Sequence, residues 1–174
     1  MSFSMSKASL PALEMGLNAL SGVLDKAQAF ATAKKVDPSV LLNFRLAPDM
    51  FPFTRQVQIA TDLAKNGAAR LAGVEPPRYD DNETSVDQLK ARLAKTVAYL
   101  KTLPATKIDA AADSEITFPL GPEHKGHMKG DDYLNHFVLP NVYFHLTAAY
   151  AILRHCGVEI GKQDFLGPIP MKMT

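Results

Sequence analysis

Apolar residues repeat at helical spacing along this chain, and the repetition constrains its fold more than any other feature. Between residues 10 and 33, apolar side chains recur alternately four and three positions apart: Leu13, Leu17, Leu20, Leu24, Ala27 and Ala31. Such spacing lays a continuous apolar stripe along one face of a helix of about six turns. A stripe of that length has to be buried, so the segment predicts a long helix packed against other helices.

Three further segments carry a comparable stripe, so the sequence predicts an all-α fold with four main helices. The predicted helices cover residues 6–34, 52–72, 85–103 and 131–157. Ser85 with Gln88 three positions later predicts a capping box at the start of the third helix. Pro140 lies inside the fourth helix and should kink or split it, because proline has no amide proton to donate. Four long helices with short to medium connections are typical of a four-helix bundle.

Residues 115–130 are the one region that lacks a helical pattern. Ile116, Phe118 and Leu120 alternate with other residues, and glycines and prolines punctuate the segment that follows. Alternation of this kind is typical of a strand, and the glycines and prolines indicate turns. We expect a short β-hairpin or an ordered loop immediately before the last helix.

Length and charge bear on the number of domains and the class of partner. The chain has 174 residues, and we expect residues 1–174 to form a single domain. Its 19 basic and 18 acidic residues give a net charge of +1, which provides no electrostatic attraction to nucleic acid or to an anionic membrane. No apolar run approaches the roughly 18 residues that span a bilayer. We therefore predict neither nucleic acid nor a membrane as a partner.

The cysteine content indicates a reducing compartment. Cys156 is the only cysteine, so the chain can form no internal disulfide. The N-terminal residues lack the basic-then-apolar order of a secretory signal, and we expect a cytoplasmic protein. Cys156 also lies near the end of a predicted helix, where the helix dipole does not lower a thiol pKa, so we do not expect a reactive thiolate.

The fourth predicted helix carries the most informative polar residues. Asn141 and His145 lie four positions apart within its apolar stripe. In one interpretation His145 is a structural histidine, bonded to a backbone carbonyl or to a neighbour such as Asn141, as most buried histidines are. In the other it faces a pocket between helices and binds a ligand or an ion.

Other polar residues raise the same choice between a structural role and a ligand-binding role. Gln56 borders the apolar stripe of the second helix and could reach into the bundle, which makes His145, Asn141 and Gln56 the candidate ligand-binding residues. Gln58 and Asp62 share a face that we expect to be solvated. Two histidines, His124 and His127, have a spacing that suits one metal ion, but two ligands do not complete a site. A solvated loop is the better explanation for that pair.

Three stretches of the sequence resemble a known family. These are LPNVYFHLTAAYAILRHCGVEIGKQDFLG at 139–167, ITFPLG at 116–121 and DMFPFTRQVQIATDLAK at 49–65. They resemble a bacterial domain family of unknown function within the DinB-like four-helix-bundle superfamily. The resemblance implies an up-down-down-up order of helices and a homodimer. We expect apolar surface from four phenylalanines to contribute to the dimer: Phe30, Phe44, Phe51 and Phe53.

The resemblance also implies a metal site, and this sequence departs from it. Many relatives in the wider superfamily bind a divalent metal with three histidines, one from the second helix and two from the last, and some transfer small thiols. Here the second helix contains no histidine, Ala60 or Thr61 occupies the expected place, and only His145 is in register on the last helix. We therefore expect no metal and no cofactor.

Three hypotheses of function follow from these observations, and one of them is a purely structural or interaction module in which no pocket opens near His145. The leading one is a dimeric bundle protein without the inherited metal site, of unestablished biochemical role, that binds a small molecule between its helices. The alternative is a metal-dependent small-thiol transferase whose rebuilt site uses His145, with His124 or His127 as a further ligand.

Overall fold

A computed structural model describes residues 4–171 of the chain, and four long helical stretches dominate it. The first three are α1 (Met5–Lys34), α3 (Phe53–Leu71) and α4 (Val86–Leu100), and the fourth extends from Gly130 to His155. Short helices α2 (Pro38–Leu42), α5 (Ala105–Ala110) and α8 (Lys162–Leu166) lie in the connections. The predicted four-helix bundle is thus confirmed, with helix boundaries within a few residues of those expected.

The fourth helical stretch is divided near Pro140, as predicted. It begins with α6 (Gly130–Asp132), widens into a π-helical segment (Tyr133–Val138) and continues as α7 (Leu139–His155). Proline cannot donate a backbone hydrogen bond, and wider π turns commonly occur where the regular ladder is interrupted. Asn141 Nδ2 donates to the Phe137 carbonyl at 2.7 Å, so its side chain satisfies a carbonyl within the interrupted region.

Contacts between helices define their directions. Lys90 pairs with Asp25, and Lys101 Nζ lies 3.8 Å from Glu14 Oε2, so α4 runs antiparallel to α1. The last helix also packs on α1, where Leu146 contacts Gly16. The contact is so tight that a Cβ added to Gly16 would lie 2.6 Å from the Leu146 side chain.

The last helix packs antiparallel to α3. His145 contacts Gln56 near the start of α3, whereas Val138 packs on Gly67 near its end. A Cβ on Gly67 would lie 2.7 Å from the Val138 methyl groups, so glycine permits the close approach of the two helices at this point. The buried alanines of α3 also allow the two helices to pack closely, because their side chains are small.

The connection between α3 and α4 runs back along α3. Lys65 Nζ donates to the Pro77 carbonyl at 2.7 Å, and further along the connection Asp81 pairs with Arg55. The chain thereby returns to the beginning of α3 before α4 starts, which makes these two helices parallel. The order is therefore up-down-down-up, as the family resemblance implied.

Residues of the predicted stripes form the core of the bundle. The stripe of α1 is almost completely buried, as are those of α3, α4 and α7. Ser85 caps α4 and forms the predicted capping box with Gln88. In residues 4–171, no helix combines the length and the apolar character needed to cross a membrane.

A β-hairpin precedes the last helical stretch, as the alternation predicted. Its strands, β1 (Glu115–Leu120) and β2 (His124–Lys129), pair antiparallel. Phe118 projects from β1 onto the π-helical segment, with its ring centroid 4.7 Å from that of Tyr133 and 4.4 Å from that of Phe137. This aromatic cluster attaches the hairpin to the bundle.

The expected solvated face of α3 is only partly solvated, because Gln58 is buried while Asp62 remains 31% exposed. Gln58 is 4% exposed and donates to Glu83 at 2.9 Å, while Asp62 pairs with Arg92 at 2.9 Å. The interpretation from helical spacing was wrong for Gln58, because the connection 72–85 folds over this face and brings its own polar groups to it.

Candidate functional site

His145 lies in the interior of the bundle, between α7 and the start of α3. Its side chain is buried, and its Nδ1 atom lies 2.6 Å from Gln56 Oε1. Gln56 is itself only 1% exposed. The histidine therefore has a side-chain partner, but that partner is Gln56 on another helix and not Asn141 on its own.

Gln56 determines which ring nitrogen of His145 carries the proton. Gln56 Nε2 donates to the Phe51 carbonyl at 3.1 Å, so its other terminal atom, Oε1, faces the imidazole. An amide oxygen can only accept, so Nδ1 of His145 must donate. This hydrogen-bond network assigns the neutral ring as the Nδ1–H tautomer and leaves a lone pair on Nε2.

The Nε2 atom of His145 is open to solvent. Within residues 4–171, Nε2 has no hydrogen-bond partner. The side-chain polar atoms in that range that are both fully buried and unpaired are the hydroxyls of Tyr79 and Tyr99, and Nε2 is not among them. Because Nε2 is unpaired but not fully buried, it retains contact with water. The arrangement thus presents one ring nitrogen, as an acceptor, at an otherwise buried position.

Burial keeps the imidazole neutral. Loss of hydration lowers the pKa of His145 below its ordinary value, and the positive charge of Arg55 lowers that pKa further. At neutral pH the ring is therefore uncharged. A neutral imidazole with a free Nε2 can accept a hydrogen bond or take up a proton.

An apolar groove lies beside His145. Its volume is about 460 Å³, and its walls come from the segment before α3 and from α7: Leu46, Met50, Tyr143, Phe144, Thr147, Ala148 and Ala151. The ring of Phe144 meets the imidazole edge-on, with 5.2 Å between centroids. Ala148 lies less than one turn beyond His145 on the same helix. Helical spacing does not reveal this groove, because most of its walls lie outside the buried stripe of α7.

Asn141 takes no part in this arrangement. Its amide nitrogen is used by the Phe137 carbonyl, and it makes no hydrogen bond to His145 or Gln56. Of the three candidate ligand-binding residues, the structure brings together Gln56 and His145 and gives Asn141 a partner within the interrupted helix.

The residues at this position do not fit a three-histidine metal site. His145 is the one imidazole present, and the oxygen of Gln56 is already used by His145 itself. His124 and His127 are exposed on β2, where His127 Nδ1 lies 3.1 Å from Thr117 Oγ1. Among the residues that the structure describes, no three histidine, cysteine or acidic side chains gather closely enough to hold one ion.

A second polar cluster surrounds Arg92, whose guanidinium is almost completely buried. It donates to Thr61 Oγ1 at 2.7 Å and contacts three carboxylates, those of Asp62, Asp81 and Glu83, at 2.9 to 3.1 Å. These groups come from α3 and from the connection 72–85. The cluster holds the connection against the bundle, and spacing along the sequence could not reveal it because its members meet only through the fold.

Comparisons with known proteins extend over the whole bundle. A family model described as a domain of unknown function, DUF1993, matches residues 5–166. Among solved structures, the chain is similar to the crystal structure of a DinB family member protein from Shewanella denitrificans at 1.83 Å resolution. The two chains are 42% identical, with 98% of this chain and 96% of that chain covered and a TM-score of 0.90. No curated protein matches the sequence.

Proposed function

The chain belongs to the family of the domain of unknown function DUF1993, a family of DinB-like bundles, and we propose that it binds a small molecule in the groove beside His145. The observation that carries this proposal is the orientation of His145 by Gln56. The contact leaves Nε2 of His145 without a partner among residues 4–171, and an apolar groove lies on the neighbouring face of α7. Ligand sites in proteins commonly combine apolar walls with a few oriented polar groups.

The size and the walls of the groove support this role. It is an open surface groove with a volume of about 460 Å³ and predominantly apolar walls. Tyr143 and Phe144 keep 40% and 58% of their surface exposed, so part of the groove wall is uncovered aromatic surface. A ligand that covered these rings would remove apolar area from water and gain free energy by doing so.

Thermal-shift measurements test the proposal. The wild type and His145→Leu are screened against uncharged aromatic compounds, small thiols, nucleotides and divalent ions. We expect at least one organic compound to raise the melting temperature of the wild type and to have no effect on His145→Leu, because a ligand stabilises only the state that binds it.

A matched variant controls for the substitution itself. His136→Leu makes the same change at a histidine whose side chain is 71% exposed on the outer surface, and it should keep the response to the ligand. If no organic compound shifts the wild type, the proposed binding function is wrong. A shift produced by zinc, nickel or manganese alone would favour the metal-dependent alternative instead.

We further propose that two copies associate through an apolar surface that includes Phe51. Of the four phenylalanines expected to contribute, Phe53 is completely buried and Phe30 and Phe44 are half-buried within the chain, whereas Phe51 is 54% exposed. The Phe51 carbonyl accepts a hydrogen bond from Gln56, the partner of His145. Closed two-fold dimers are the commonest oligomers, and exposed apolar patches often mark interfaces.

Light scattering at micromolar concentration tests this assembly. We expect the mass of a dimer for the wild type and of a monomer for Phe51→Ser, which removes exposed apolar surface without touching the core. Val40→Ser provides a control, because Val40 is 55% exposed on α2 and should leave the dimer intact. A monomeric wild type would contradict the proposal.

We also propose that the chain forms one domain and resides in the cytoplasm. The buried apolar cluster draws residues from every main helix, which supports a single core. The single cysteine, Cys156, supports a reducing compartment.

A further inference from the structure

A second cleft lies between the connection 72–85 and α4. Its volume is about 310 Å³, and it shares no lining residue with the apolar groove of α7. Charged side chains line this cleft, whereas none lines the groove: Arg78, Asp80, Glu83, Arg92 and Lys95. The cleft therefore suits a different class of ligand from the groove, one that carries charge.

The buried charges beside the cleft neutralise one another. The network consists of three cations and three carboxylates: Arg55, Lys65, Arg92, Asp62, Asp81 and Glu83. Each of these cations lies within 3.5 Å of at least one of the carboxylates. Because equal numbers of opposite charges meet here, this network leaves no net charge to attract a ligand.

Two cations that line the cleft lie outside this network. Within residues 4–171, neither Arg78 nor Lys95 forms an ion pair with a carboxylate. The Lys95 ammonium lies over the ring of Tyr79, 4.3 Å from its centroid. A ring face attracts a cation without neutralising its charge. Both positive charges are therefore available to a ligand.

Gln88 adds a neutral donor to the cleft. Its Oε1 atom accepts from the backbone amides of Thr84 and Ser85, at 2.7 and 3.2 Å. The amide nitrogen at the other end of this fixed group can only donate. Among the described residues it has no acceptor, so Gln88 complements the two cations in presenting hydrogen-bond donors.

Asp80 is the carboxylate of the cleft walls that opposes an anion. Its backbone carbonyl accepts from Arg92 Nη1 at 3.1 Å, but its side chain forms no ion pair among residues 4–171. Glu83, the other acidic residue of the walls, belongs to the neutral network. The two free cations, Arg78 and Lys95, outnumber the carboxylate of Asp80, so the cleft favours an anion.

From these charges we infer that the cleft binds a phosphate group, as inorganic phosphate or a small phosphate monoester, through Arg78, Lys95 and Gln88. A phosphate group carries a charge of about −1.5 to −2 near neutral pH and offers several acceptor oxygens, which match two cations and an amide donor. Guanidinium groups bind such oxygens in a bidentate manner. This inference is independent of the proposed groove function, because the two sites share no residue.

NMR titrations at pH 7.5 and constant low ionic strength test the inference. Inorganic phosphate, glycerol 3-phosphate and acetate are added separately to ¹⁵N-labelled protein. We expect both phosphate compounds to shift the amide signals around the cleft in a saturable way and to bind roughly fivefold more tightly than acetate, whose single charge matches one cation only. Comparing the two phosphate compounds shows whether an ester or the free ion is preferred. If neither shifts these signals, or if acetate binds equally tightly, the inference is wrong.

Charge variants at exposed positions show whether the cleft residues bind the phosphate. Arg78→Gln and Lys95→Gln should each weaken inorganic phosphate binding roughly fivefold. Asp80→Asn should strengthen it, because the opposing charge is removed. Lys90→Gln is the matched control, since it makes the same charge change on α4 at a lysine that pairs with Asp25 outside the cleft. Equal phosphate affinities of the Lys95→Gln and Lys90→Gln variants would overturn the inference without affecting the proposed groove function.

Discussion

Gln56 converts a buried histidine into an oriented acceptor. The amide is fixed at one end by the Phe51 carbonyl and at the other by His145 Nδ1, so the ring cannot exchange tautomers without breaking a contact. This coupling depends on two residues that lie 89 positions apart in the sequence. Helical spacing predicted that His145 faces the interior and that Gln56 borders it. It could not predict their contact, because the contact depends on how α3 and α7 are aligned.

Removing His145 should destabilise the protein. His145→Ala leaves a cavity and an unpaired Gln56 oxygen, and we expect it to lower the free energy of unfolding by roughly 2–4 kcal/mol. His145→Leu/Gln56→Leu replaces both partners with apolar groups and should recover much of this loss. Urea unfolding measures both variants. An alanine variant as stable as the wild type would show that the contact is absent in solution.

The pH dependence of stability follows from the lowered pKa of His145. Burial, and then the charge of Arg55, depresses the pKa in the folded state below the ordinary value of 6.5, whereas the unfolded chain retains that value. The unfolded state therefore binds the proton more readily, and stability should fall as the pH drops below 6.5 towards the folded-state pKa. Urea unfolding between pH 7.5 and 5 should show a shallower fall for His145→Leu. Identical slopes for the two proteins would contradict the assignment.

At the scale of secondary structure, Arg92 explains how α3 and α4 can be parallel neighbours. Parallel helices need a long connection between them, and Arg92 holds that connection through Asp81 and Glu83 while it also contacts Asp62 on α3. The helices and the capping box were predictable because their signals are local. The polar cluster was not, because a basic residue in a helical pattern usually lies in solvent, and here the connection covers it.

Replacing Arg92 should therefore loosen the connection 72–85. We expect Arg92→Leu to lower the free energy of unfolding by roughly 3–5 kcal/mol, because it leaves partly buried carboxylates without their cation. Lys101→Leu is the control, because Lys101 directly follows α4 and forms an exposed ion pair with Glu14. It should change the free energy of unfolding by less than about 1 kcal/mol. Limited proteolysis should cut the Arg92→Leu variant within residues 72–85 earlier than the control. Equal stability and equal cleavage of the two variants would refute this role.

At the scale of the whole molecule, one apolar core links all four main helical stretches. The residues that form this core were predictable from periodicity, since each main helix carries its apolar stripe on a single face. The order and directions of the helices were not predictable from periodicity, because the stripes do not specify which helices are neighbours. That information came from the family resemblance, and the contacts of α4 with α1 and of α7 with α3 agree with it.

A single core predicts a single unfolding transition. Differential scanning calorimetry should show one peak with no separate transition for the hairpin, since Phe118 packs against Tyr133 and Phe137 and attaches the hairpin to the bundle. Two resolved transitions would contradict the proposal that the chain is one domain.

Nitrogen NMR of the His145 ring tests the binding site most directly. Long-range ¹H–¹⁵N correlation spectra at pH 7.5, with the His145 signals identified by their loss in His145→Leu, report the protonation of each ring nitrogen. We predict a protonated Nδ1 and an unprotonated Nε2. A protonated Nε2 would contradict the orientation of His145 by Gln56 on which the proposed site depends.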